Sequence, residues 1–353
     1  MFDIQSDNHL GCNNKKLIKT CVECFRSIDS SLNQNNVKKF VKDIIVNYFS
    51  SNNFHNFKHA FEVFQMVFYL QKFNKSLSKE DRKLLLITAL CHDINHIGYT
   101  NKTLGNDNWK NDDYDKKLFF TESFYMRRSS TLYSNSECEQ SPSIRSRTES
   151  EKEMFVTKAN IEARLNADML YNDTLSNGYS SSYDENFHIS NNDSYNEEVH
   201  IRQTFVIMAK HMKKILRVNT LSDIDCVHNR IVSMILATDL KLHNKYMRII
   251  NAQHDESSLV QMILILKLAD ISHPLRPFPV HCYWVFKLLE ENDNNKETSL
   301  SFIIKDTIHF INFFVTPLLN IFIEKHKKNN DGELTMLSDN LNDNLQTWST
   351  HIL

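Results

Sequence analysis

LLLITALCHDINHIGYTN, residues 84–101, decides how this chain is read. A run from Leu84 to Leu90, apolar but for Thr88, leads directly into His92, Asp93 and His96, so two imidazoles and a carboxylate stand at the inner end of a helix built for a core. Polar groups carried that deep need partners, because burying an unpaired one costs several kcal/mol.

Working outward, helical apolar periodicity recurs in VKKFVKDIIVNYF (37–49), HAFEVFQMVFYLQKF (59–73), NRIVSMILATDLKLHNKYMRII (229–250), SSLVQMILILKLADI (257–271) and TIHFINFFVTPLLNIFIEKH (307–326). Five Gly and five Pro in 353 residues are too few turn markers for a sheet of hairpins or a dinucleotide-binding crossover. The expected fold class is therefore all-α, a compact multi-helix arrangement. With 41% hydrophobic residues the chain can bury a sizeable core, and residues 1–353 are read as a single domain. Two polar stretches, 103–158 and 174–196, interrupt it. Ser, Asn, Asp, Glu and Arg dominate both, a composition too poor in apolar surface to hold order, and both are read as disordered insertions.

The net charge of -2 carries no polycationic signature, so neither nucleic acid nor an anionic membrane is the expected partner. No stretch reaches the roughly 18 consecutive apolar residues of a membrane span, and the polar N-terminus lacks a signal-peptide core. Seven scattered cysteines, an odd number, suit reduced thiols in the cytoplasm, with membrane attachment through segments outside this chain left open. Cys21 and Cys24 form a lone CxxC in helix-like surroundings and are not read as a zinc site.

The chemistry-bearing residues fall in three places. His55 and His59 in FHNFKHAFEVF are four apart and share a helix face, and His92 and His96 repeat that spacing. One histidine on an apolar face is usually a hydrogen-bonded core residue, but two such pairs beside Asp93 point further. A third element, LVQMILILKLADIS, ends at Asp270, whose carboxylate needs a cation or strong donors. Imidazole nitrogens with carboxylate oxygens are a ligand set for zinc, manganese or iron. His59, His92, Asp93 and Asp270 thus read as a metal-activated hydroxide centre, and a second cation bridged by Asp93 gives the two-metal arrangement used for phosphoester hydrolysis.

These blocks resemble the catalytic domain of the class I 3',5'-cyclic nucleotide phosphodiesterases, within the HD-domain superfamily. His55-Asn56-Phe57-Lys58-His59-Ala60 is similar to the family's HN(F/W)(R/K)HA block, and His92 through Asn101 to its HDxxHxGxxN signature. Ile161 through Asp173 echoes INARxxLAxxYND; Ala237-Thr238-Asp239, Ala269 through Pro277 and Phe310 through Pro317 continue the series. The resemblance implies zinc on His59, His92, Asp93 and Asp270, with magnesium or manganese on Asp93. It implies hydrolysis of cAMP, cGMP or both to the 5'-monophosphate in signal transduction, with bridging hydroxide as nucleophile and His55 as the acid that protonates the departing O3'. His96 would support the site. The glutamate of the LExxH block is best matched by Glu198, with Glu197 adjacent, and Glu198 is the carboxylate expected to hold His55 charged.

The purine end departs from the pattern. The family's glutamine, three residues before a stacking phenylalanine, is Thr307 here, ahead of Phe310, and the asparagine of ADISNP is His273. Phe310 can stack on a base, whereas Thr307 is too short for a two-point contact with its edge. Gln253 and Gln261 are candidates for a glutamine supplied from elsewhere. Arg127-Arg128-Ser129-Ser130 fits the RRxS pattern of cyclic AMP-dependent kinase substrates, with Ser130 as acceptor. Two other functions stay in view: a catalytically weak cyclic-nucleotide-binding or regulatory module, prompted by Thr307, and another HD-type nucleotide phosphohydrolase. Nothing in the sequence sets the oligomeric state.

Overall fold

The computed structural model describes residues 10–104, 194–216, 218, 220–252, 257–292, 298–327 and 332–350. The chain divides into a unit formed by Met1–Thr103 with Asn192–Leu353 and a second, Leu104–Asn191. Apart from their edges, the polar stretches at 103–158 and 174–196 lie outside the described residues, as do Ser130, the Ile161–Asp173 block and Gln253.

Every regular element among the described residues is helical. The abundant Asn, Ser and Thr start the first helices. Helix α1 (Asn14–Ile28) begins where Asn13 accepts from the Lys16 amide, and α2 (Gln34–Ile45) where Asn33 accepts from Asn35 and Asn36. Asn56 caps α3 (Phe57–Leu70), and Ser78 with Asp81 forms a reciprocal capping box on α4 (Lys79–Cys91). After a short α5 (Asn101–Leu104) come α6 (Tyr195–Ile215) and α7 (Leu221–Leu236), the latter opened by a second capping box, Thr220 with Asp223. Then follow α8 (His243–Ala252), α9 (Ser258–Asp270), α10 (Phe278–Asn292), α11 (Leu300–Phe310), α12 (Thr316–His326) and α13 (Thr335–Thr350).

Helix α9 is the axis of the core. It is apolar all round, buried without a break from Val260 to Ala269, and packs on α3, α4, α7 and α12. Burying side chains such as Leu264, Leu266 and Leu268 contributes roughly 1.5–3 kcal/mol each. Lys267 is tolerated buried in its last turn because Nζ donates to the Ala237 carbonyl at 2.7 Å. Three helix ends converge as a result: the first turn of α3, the residues just past α4, and the last residue of α9.

The structure amends three sequence expectations. The periodic stretch 229–250 is two helices, because Thr238 Oγ1 donates to the Ile235 carbonyl, Asp239 accepts from the Lys241 amide, and a 3-10 turn (Leu240–Leu242) follows before α8. Residues 195 and 196 belong to α6, so the second polar stretch ends sooner than its composition implied. Helices α11 and α12 join through a π-helical turn, Ile311–Val315, into one run from Leu300 to His326. By length and composition alone that run, with a mean hydropathy of 1.3 over an 18-residue window, suffices to cross a membrane, contrary to the expectation that no stretch would. Its buried residues Ile304, Thr307, Ile311, Val315, Leu318, Phe322 and His326 recur every three or four positions, the pattern of a helix laid on a protein core.

Candidate active site

The chain leaves α4 at Cys91 and turns sharply through His92–Gly98, with Asn95 and Gly98 at positive φ (66° and 84°). Gly98 is required twice over. Its φ is one that L side chains rarely adopt, and a Cβ there would stand 3.2 Å from Asn52 Oδ1. The amide of Asn52 donates to the carbonyls of His55 (3.0 Å) and His96 (2.7 Å), joining the loop before α3 to the loop after α4.

His59, His92, Asp93 and Asp270, predicted as ligands, are together: one donor atom from each lies within 4.8 Å of all the others. His59 Nε2 is 3.4 Å from Asp93 and 3.3 Å from Asp270; His92 Nε2 is 3.1 Å and 3.0 Å from the same oxygens. His92 Nδ1 donates to the Ala89 carbonyl at 2.8 Å, which turns Nε2 toward the carboxylates, yet Nε2 is fully buried with no hydrogen-bond partner. A buried imidazole nitrogen facing two carboxylate oxygens is a ligand set that suits a divalent cation. Bonds of 2.0–2.2 Å at tetrahedral or octahedral angles place neighbouring ligand atoms roughly 2.9–3.4 Å apart, and the four distances fall there. The residues fit a divalent cation. With no cation, burial opposes ionisation of Asp93 and Asp270, but the His92 imidazole overrides it and both carboxyls are held below the usual range.

His55 and His96 stand beside this cluster with their rings stacked, centroids 3.9 Å apart. The carboxylate on His55 is Glu291 of α10, not Glu198. Glu291 bonds His55 Nδ1 with one oxygen, and with the other accepts from the amides of Phe54 (2.7 Å) and His55 (3.0 Å). Burial works against a charged His55, but the bond to Glu291 and the charges of Asp93, Glu291 and Asp270 outweigh it, raising its pKa. His96 is the converse: burial, then the neighbouring His55, presses it well below its ordinary value, and Nδ1 accepts from the Gly98 amide at 3.0 Å.

Glu198 lies half-buried on α6 with its charge facing Arg202. Glu197 is the one turned inward. It is buried and accepts from Asn101 Nδ2 at 2.8 Å, and burial followed by the charge of Asp239 pushes its carboxyl up to about 7. His200, one turn on, donates from Nδ1 to the Ile94 carbonyl and holds Nε2 3.8 Å from Asp93 Oδ1. Sequence reasoning gave neither Glu291 nor His200 a role. His200 had a signal, its place in the EEVH spacing; Glu291, 236 residues from its partner, had none.

Of the residues expected at the purine end, Phe310 lies parallel to His273, centroids 5.7 Å and planes 15° apart, and Thr307 is buried one helical turn before it. Gln261 is not a substitute for the glutamine. It accepts from Asn74 and sits nine residues before Asp270, about 13 Å along the helix axis.

The 3'5'-cyclic nucleotide phosphodiesterase family matches this chain over residues 54–176 and 170–331. The 3',5'-cyclic-nucleotide phosphodiesterase regA of Dictyostelium discoideum is 40% identical over 68 residues, 18% of this chain and 9% of that protein. The high affinity cGMP-specific 3',5'-cyclic phosphodiesterase 9A of Homo sapiens is 36% identical over 76 residues, 21% and 13% of the two chains. The dual specificity calcium/calmodulin-dependent 3',5'-cyclic nucleotide phosphodiesterase 1B of Mus musculus is 26% identical over 156 residues, 39% and 29%. The matched stretches thus span less than a third of those relatives' lengths. The phosphodiesterase domain of the RhoPDE fusion protein from the choanoflagellate Salpingoeca rosetta shares the fold, with TM-score 0.64 at 18% identity over 99% of this chain and 95% of that one. LmjPDEB1, solved in complex with IBMX, does so at TM-score 0.62, 15% identity and coverage of 99% and 92%. With the family spanning both loops and the carboxylate end of α9, the chain belongs to the 3'5'-cyclic nucleotide phosphodiesterases and carries their all-helical catalytic domain.

Proposed function

We propose that this domain hydrolyses 3',5'-cyclic nucleotides to 5'-monophosphates with divalent cations, zinc in the His59–His92–Asp93–Asp270 cluster and magnesium or manganese beside Asp93. The observation that carries this reading is the buried Nε2 of His92, 3.1 and 3.0 Å from oxygens of Asp93 and Asp270, next to a histidine bonded to Glu291.

A cation bound there supplies Lewis acidity, lowering the pKa of water toward neutrality and offsetting phosphate charge. The chain's own residues do the rest. His55, bonded through Nδ1 to Glu291, presents Nε2 as the acid that protonates O3' as its bond to phosphorus breaks, a contribution of about 10² to 10⁴ in rate. His96 stays neutral at its back, so the charge rests on one ring. Glu197 and His200 wall the far side of Asp93 with a carboxyl near neutrality and an unprotonated imidazole, the groups to orient water there. Phe310 and His273 offer a flat surface for the base.

The assay is hydrolysis of cAMP and cGMP with added manganese or magnesium, alongside His55→Ala and Asp270→Ala. Both variants are expected to lose activity by two or more orders of magnitude, and Asp270→Ala alone to lose bound metal in elemental analysis. Thr307 favours a second reading, a domain that binds cyclic nucleotide without turning it over. Binding of both nucleotides with no monophosphate formed would establish that one instead.

A further inference from the structure

Behind the purine end, three buried rings are joined by hydrogen bonds that fix a direction. Trp348 Nε1 of α13 donates to His281 Nε2 of α10 at 2.8 Å, and His281 and His273 meet Nδ1 to Nδ1 at 2.9 Å. An indole N–H only donates, so His281 Nε2 is bare and the neutral His281 ring carries its proton on Nδ1. One proton fits between the two Nδ1 atoms; it comes from His281, and His273 Nδ1 accepts it. The proton of the neutral His273 ring is therefore on Nε2, and that atom can only donate. The rings are 4%, 0% and 8% exposed, so water does not compete for these bonds. Burial keeps both imidazoles uncharged, holding His273 down to about 3 and His281 well below its ordinary value.

His273 is the ring on which Phe310 lies. Resting on the cyclic-nucleotide reading above, we propose that Trp348 and His281 are positioning residues that lock His273 as a hydrogen-bond donor at the base pocket, which thereby selects 6-oxopurine over 6-aminopurine cyclic nucleotides. Guanine presents two adjacent acceptors, O6 and N7, whereas adenine places an amino donor beside N7. N7 is common to both bases, so the choice is made at position 6, where a donor-only ring is satisfied by guanine O6 and opposed by the adenine amino group. Thr307, whose hydroxyl rotates to give or take a hydrogen bond, exerts no such choice, and a side-chain amide at 273 would swing to serve both bases.

The test compares kcat/KM of the metal-loaded protein for cGMP, cIMP and cAMP; cIMP keeps the 6-oxo group without the 2-amino group. Wild type is expected to favour both 6-oxopurines over cAMP by about tenfold, the size of one hydrogen bond made or lost. His273→Asn should bring cAMP up by a similar factor relative to cGMP. Trp348→Phe removes the donor that sets the direction, so the wire can reverse and His273 can accept at Nε2. Its cGMP-to-cAMP ratio should fall likewise, an effect that general loosening of α13 would not produce. On wild-type protein with ¹⁵N-labelled histidine, difference spectra against His273→Asn should show His273 with a protonated Nε2 and a bare Nδ1. A protonated Nδ1 on His273, or base preferences in both variants within about twofold of wild type, would overturn the proposal. A wild-type protein that hydrolyses none of the three overturns the hydrolase reading itself, and the selectivity with it.

Discussion

On the proposed reading His55 holds a proton until the leaving oxygen needs it, and the bond to Glu291 sets the pH at which it would do so. Its pKa is raised, so the acid is ready below that value and lost as pH climbs through it. Glu291→Gln keeps the side-chain length but removes the charge, lowering the His55 pKa. The alkaline limb of the kcat/KM profile should shift to lower pH, with activity at pH 8 falling about ten- to hundredfold and activity near pH 6 falling less. A uniform loss at every pH would mean that Glu291 only braces the loop through the Phe54 and His55 amides. Nothing near Glu291 in VFKLLEEN distinguishes it from a solvent-facing carboxylate, because its role is set by a partner 236 residues away. Glu197 was legible in principle. It lies in phase with the buried His200, Ile201, Thr204 and Met208, while Glu198 is a hundred degrees further round the helix.

At the scale of elements, the sequence was most readable where the chemistry is local. The candidate ligands sit on short blocks anchored to helix ends, and the apolar runs before His92 and Asp270 place those ends in the core. It was least readable where the core is entered twice. The periodicity of 229–250 crosses a helix break unchanged because both halves pack toward the same interior, and only Thr238 and Asp239 mark the turn. The Asn52 staple and Gly98 are likewise invisible to periodicity, yet they hold His55 and His96 in register. Two substitutions separate stability from site geometry. Ser78→Ala breaks the α4 capping box and should cost about 1 kcal/mol in denaturant unfolding, with kcat/KM nearly unchanged. Gly98→Ala meets both an unfavourable φ and the Asn52 side chain; it should lower kcat/KM at least tenfold for a stability loss of about 1–2 kcal/mol. Equal activity in the two variants would show that the loop after α4 does not position the histidines.

For the whole molecule a cation held by residues 59, 92, 93 and 270 would act as a clasp, since these four donors come from the ends of three core helices. A cation that binds the folded chain alone stabilises it by RT ln(1 + [M]/Kd), about 2.7 kcal/mol at a hundredfold excess over Kd. For a domain of this size that is a rise of roughly 4–5 °C in melting temperature. Without the cation, charged His92 takes its place between the carboxylates. Its pKa is raised on folding, so its contribution is complete below about 6.5 and disappears as pH rises through the folded value. Asp93 and Asp270 are lowered, so theirs is present above about 3.9 and lost only as pH falls through their folded values. The metal-free protein therefore weakens from neutral pH upward, where a cation, which needs His92 unprotonated, binds best. Chelation should lower the melting temperature more at pH 8 than at pH 6, and re-addition of zinc or manganese should restore it. In Asp270→Ala the metal-dependent shift should vanish at both pH values. A wild-type melting temperature indifferent to chelator at pH 8 would mean that the three helix ends are held by packing alone.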